Sequence, residues 1–87
     1  MNSIQTINET ISQVATLFYQ LKVDEGVKQL AGLTELIVAT LKEYETSDED
    51  LQHVQDILNE CMTAYQHKEY ILLADLLQYE LAQIFAL

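Results

Sequence analysis

The sequence predicts an all-α fold, an antiparallel up-down four-helix bundle. Three observations carry that reading. The chain has no proline and only two glycines, Gly26 and Gly32, whereas all-β chains spend both residues on their many tight turns. Leu, Ala, Gln, Glu and Ile, all compatible with helix, dominate the composition. Apolar residues recur at alternating spacings of three and four in successive stretches separated by short polar connections.

Helix one is expected over about 3–21. Ile4, Ile7, Ile11, Val14, Phe18 and Leu21 form a single heptad seam, with Asn2 or Ser3 as the cap. Helix two is expected over about 24–45, with Asp24 as N-cap. Val27, Leu30, Leu33, Ile37, Leu41 and Tyr44 form its main face, broadened by Leu36 and Val38. Gly32 falls mid-helix, where it either admits a close neighbour or is a tolerated weak point. The run 45–50 is a helix start, with Ser47 followed by Asp50, or Thr46 by Glu49, as a capping box. Helix three follows over about 48–66, on a seam of Leu51, Val54, Leu58, Cys61 and Tyr65 with Ile57 and Met62 beside it.

Helix four is expected over about 69–86. Its main face is Tyr70, Leu73, Ala74, Leu77, Leu81 and Ile84. The opposite side carries Ile71, Leu72, Leu76 and Tyr79 among polar residues, more apolar surface than one core face uses. A weak echo at an offset of 46 aligns Tyr19-Gln20-x-Lys22 with Tyr65-Gln66-x-Lys68. Two tetratricopeptide-like helical hairpins are therefore the alternative architecture, although the Trp and Pro that mark that repeat are missing.

The 87 residues read as a single domain, 1–87, in which about 60–65 % of the unfolded surface is expected to be buried. Fourteen acidic residues against four lysines and no arginine give a net charge of −10. Nucleic-acid binding depends on cations at phosphates, and anionic membranes attract basic segments, so neither partner is expected. No apolar run approaches the ~20 residues of a membrane span, and the N-terminus lacks the pattern of a signal peptide. A cytoplasmic location is the expectation.

No catalytic constellation and no cofactor motif is evident, and the chain is read as not an enzyme. Cys61, on the seam with no cation beside it, reads as a core residue rather than a nucleophile. The best metal candidate is Asp50, His53 and Asp56, with Glu49 at the same helix start. It supplies only one carboxylate–histidine pair where di-iron bundles use two, so a solvated polar face is the favoured reading. Most of the five tyrosines fall near helix ends, where their rings can close the core; Tyr79 lies mid-helix on the secondary apolar face.

The segment 68–81, Lys-Glu-Tyr-Ile-Leu-Leu-Ala-Asp-Leu-Leu-Gln-Tyr-Glu-Leu, resembles a C-terminal signature of small acidic helical proteins of Gram-positive bacteria. That resemblance implies a helical bacterial protein and no particular activity. In size, acidity and helix count the chain is also similar to flagellar export chaperones, an architectural likeness without a shared motif. The functional expectation is a noncatalytic interaction module, a homodimer or a binder of a partner helix, acting through Ile71, Leu72, Leu76 and Tyr79. An export-chaperone-like adaptor is the more specific alternative, and a metal-binding helical bundle enzyme the alternative of another class.

Overall fold

A computed structural model describes residues 3–43 and 47–85. Among these every regular element is helical. Helix α1 spans Ser3–Tyr19, α2 Val23–Glu43 and α3 Asp48–Gln66. The fourth helix is composite: α4, Tyr70–Asp75, runs into a π-helical stretch, Leu76–Leu81, and ends in the short α5, Ala82–Ile84. Asn2, Tyr44 and Thr46, to which the sequence assigns caps or a place on a helix's main face, lie outside the described residues.

Helix α1 packs against α2 and along the fourth helix, which also packs against α3. Helices α2 and α3 meet only loosely. A hollow of about 120 Å³ lies between them, lined by Leu30 and Thr34 on one side and Leu58, Asn59, Cys61 and Met62 on the other.

Both three-residue connections are built the same way. After α1, Leu21 takes a left-handed conformation (φ 59°). The Lys22 N–H then reaches back to the Leu17 carbonyl and the Leu21 N–H to that of Phe18. After α3, Lys68 is left-handed (φ 58°), Glu69 N–H bonds the Ala64 carbonyl and Lys68 N–H that of Tyr65. Each is a Schellman motif, which satisfies the last carbonyls of the helix and ends it. Structural equivalence therefore pairs Leu21 with Lys68, an offset of 47. The sequence echo at 46 is one residue out of register, so matching letters occupy different positions in the two turns.

That turn also corrects the α1 seam. The sequence extends the helix through Leu21, but the left-handed turn leaves that side chain exposed, and Ile7, Ile11, Val14 and Phe18 form the buried stripe. Asp24 does not cap α2: Gly26 N–H bonds the Lys22 carbonyl, and Asp24 lies in the first turn, where its charge favours the helix dipole. Ser47 does cap α3, its Oγ accepting the Asp50 N–H at 3.2 Å. On α3 the buried set is Val54, Ile57, Cys61 and Ala64, a seam rotated from the expected one, so Met62 faces solvent.

The fourth helix departs most from expectation. Its fully buried residues Leu73, Leu77 and Leu81 and the buried Phe85 follow one another at intervals of four. In an α-helix each step of four advances the stripe by about 40°. The π stretch, with Ala82 N–H bonding the Leu77 carbonyl, widens one turn and absorbs part of that drift. In consequence Phe85 takes the core place the periodicity assigns to Ile84, which is only partly buried. Asn8 of α1 donates its side-chain amide to the Phe85 carbonyl at 2.7 Å, closing this end of the helix against α1.

Candidate functional site

The four residues singled out on helix four do not share one environment. Ile71, Leu72 and Tyr79 are 48 %, 46 % and 62 % exposed, whereas Leu76 is 8 % exposed and belongs to the core. Only the edge of Leu76 reaches the surface, because the fourth helix packs against both α1 and α3 and so buries a wider arc than one core face. The exposed apolar feature is thus Leu72 and Tyr79 with Leu76 beneath.

Two shallow hollows flank this feature and share Leu72 and Leu76 as lining. The first, about 360 Å³, lies between α3 and the fourth helix, walled by Asn59, Glu60, Thr63, Ala64 and Glu69. The second, about 310 Å³, adds Asp75, Tyr79 and Glu80. Together they form a groove with an apolar floor and a carboxylate rim. Among the described residues no lysine lines either hollow. Glu60, Glu69 and Glu80 are exposed, while Asp75 is half-buried.

Asp75 accepts a hydrogen bond from the hydroxyl of Tyr19 at the end of α1. The bond, burial and the nearby carboxylate push the Tyr19 phenol up to about 12. The contact ties one wall of the groove to α1. Sequence reasoning missed it because the partners lie 56 positions apart and each has an unremarkable local pattern. Tyr65 and Tyr70, by contrast, close the hairpin end of the core: Tyr70 stacks on Phe18 at 6.3 Å between centroids and meets Tyr65 at 6.2 Å.

Asp50, His53 and Asp56 all lie exposed on α3, and Glu49 with them. The Asp56 carboxylate accepts the Gln52 side-chain amide at 2.9 Å, and the Asp50 backbone is engaged by the Ser47 cap. Among the described residues no three His, Cys, Asp or Glu side chains converge on a point where an ion could sit. Cys61 is buried, and burial first, then the charges of Glu60 and Glu80, push its thiol up to about 12. A thiol so protonated has little nucleophilic character.

Fold and site together define an all-helical protein with an acid-rimmed apolar groove on its fourth helix. The chain belongs to a family described as a domain of unknown function, DUF8042, whose profile matches residues 1–87. No curated protein and no solved structure matches it. Among the described residues no helix is long and apolar enough to cross a membrane.

Proposed function

We propose that the protein is a noncatalytic interaction module that grips a helical segment, from another protein or a second copy of itself, on the exposed face of its fourth helix. The observation that carries this reading is the exposed pair Leu72 and Tyr79 over the edge of Leu76, lining two open hollows rather than packed away, with Ile71 also exposed on the same helix. Contiguous exposed apolar surface is costly in water and is commonly retained where a partner covers it.

In this reading the helices run up and down in alternation. The two Schellman turns and the packing of α1 on α2, of the fourth helix on α3 and of α1 on the fourth helix support that course. An adaptor or export-chaperone-like role is the more specific form, and the lone unpaired thiol of Cys61 suits the cytoplasm.

The test is a paired retention experiment with immobilised wild type and the Leu72→Asp/Tyr79→Asp variant, alongside light scattering of both. Both positions are exposed, so the variant is expected to fold. A stoichiometric protein retained by the wild type and lost by the variant, or a wild-type dimer that the variant makes monomeric, supports the reading. Identical behaviour of the two proteins sinks it.

A further inference from the structure

We propose that the occupant of this groove is a cationic amphipathic helix of another protein, with an apolar stripe for Leu72, Leu76 and Tyr79 and lysines or arginines along its flanks. The inference rests on the interaction-module reading and names the partner's chemistry.

Charge on the groove decides between occupants. Its rim presents Glu60, Glu69, Glu80 and Asp75, and among the described residues no basic side chain lines either hollow to neutralise them. The whole chain carries −10 with only four lysines. A second copy docking by this face would be related by a two-fold axis, which sets the same patch against itself and brings carboxylate to carboxylate. At physiological salt the screening length is about 8 Å, longer than the spacing of groups across a packed interface, so that repulsion is felt. A helix with basic flanks turns the same rim into an attraction and leaves the apolar floor to its stripe. Like-signed rims reject wrong partners as effectively as complementary ones recruit right ones.

Length fits as well. From Tyr70 to Glu80 the fourth helix rises at most about 15 Å, nearly three turns, enough to seat apolar residues at positions i, i+3 or i+4, and i+7 of a crossing or parallel partner. Tyr79 stands at one end as an aromatic anchor whose hydroxyl remains wet.

The experiment titrates the intact protein into two labelled synthetic peptides of about 18 residues that share one leucine stripe. One carries lysines on its flanks and the other glutamates. Anisotropy is read at about 0.15 M salt. The Leu/Lys peptide is expected to bind one to one and the Leu/Glu peptide not at all. Glu60→Gln/Glu69→Gln/Glu80→Gln is expected to weaken binding by about tenfold or more, and Leu72→Ser similarly. A control, Glu9→Gln/Glu35→Gln/Glu43→Gln on α1 and α2, removes equal charge elsewhere and is expected to change it less than about threefold. Circular dichroism checks that every variant is folded.

Equal weakening by the control, or equal binding of the Leu/Glu peptide, overturns the assignment. If neither peptide binds and the wild type is a dimer that Leu72→Asp separates, the cationic helix is wrong and the interaction module stands, with a second copy as occupant. If neither peptide binds and wild type and Leu72→Asp are both monomers without a retained partner, both readings fall.

Discussion

The hydroxyl of Tyr19 donates to the carboxylate of Asp75, joining the end of α1 to the middle of the fourth helix. The phenol's affinity for its proton is raised by this bond above all, from 10.0 to about 12. The native state therefore holds that proton more tightly than the unfolded chain does. The stabilisation is fully present below about pH 10 and is lost as the pH rises toward 12, since ionisation removes the donor and sets two negative charges together. Tyr19→Phe is expected to lower the melting temperature by a few degrees near neutral pH, because the site is partly solvated. It should also flatten the alkaline fall in stability across that window. Thermal melts of both proteins at a series of alkaline pH values provide the check; parallel curves would mean that the bond contributes nothing.

The two glycines should respond to alanine with opposite signs. A Cβ on Gly26 would come within 2.9 Å of the Phe18 ring, which is fully buried and stacked on Tyr70. Gly26→Ala must shift that ring, at an expected cost of about 1–3 kcal/mol. Gly32 has nothing within 4 Å of the same position, so it is the tolerated weak point rather than a close contact. Gly32→Ala is expected to stabilise the protein by up to about 1 kcal/mol through helix propensity. Urea denaturation with a common slope measures both.

Leu21 and Lys68 occupy left-handed positions that glycine adopts without steric cost. Leu21 is exposed, so little packing is sacrificed by removing its side chain. Leu21→Gly and Lys68→Gly are each expected to be neutral or stabilising by up to about 1 kcal/mol, against the usual destabilisation by glycine. Placing glycine instead at Gln13, exposed within α1, is expected to cost about 1 kcal/mol. A loss at Leu21 equal to that at Gln13 would contradict the turn geometry.

Cys61 should be nearly inert in the native protein. With its thiol pushed up to about 12 from an ordinary 9.0, its thiolate fraction near neutral pH falls about a thousandfold. Burial adds a steric barrier. Alkylation by iodoacetamide is expected to follow the opening of the fold and to accelerate sharply in denaturant. Native-state labelling at the rate of a small-molecule thiol would show that the helices packed on α3 do not cover this residue.

How much of this was legible in the letters differs by helix. On α1 the 3-4 spacing of Ile7, Ile11, Val14 and Phe18 translates directly into the buried stripe, since a regular helix obeys its own period. The end of that stripe was not legible, because a leucine in a left-handed turn has no sequence mark; glycine would have supplied one. The groove was half visible. Ile71, Leu72 and Tyr79 were evident as surplus apolar residues, but their rim was not, because Glu60 comes from α3 and its place beside Leu72 depends on how two helices dock. Leu76 is buried although it lies off the main face, because the fourth helix packs against two neighbours, α1 and α3, and periodicity alone does not show a second packed side.

The change of turn within the fourth helix yields the last prediction. Leu73, Leu77, Leu81 and Phe85 lie four apart, a spacing that a pure α-helix would spread over about 120° of its circumference. Deleting Gln78, partly buried within the π stretch, converts the intervals to 4, 3 and 4, an α-helical seam that keeps every one of these residues inward. The shortened protein is expected to fold with unchanged helicity and a melting temperature equal to or above that of the wild type. Deleting the exposed Gln13 is the contrast. It throws Val14 and Phe18 out of register with Ile7 and Ile11 and should cost more than about 3 kcal/mol. Circular dichroism and thermal melts distinguish the two. The Gln78 deletion also turns Tyr79 and Glu80 relative to Leu72, so it should weaken capture of the Leu/Lys peptide while preserving the fold. A stable deletion variant that still binds that peptide as the wild type does would separate the π turn from the groove and leave it a device of packing alone.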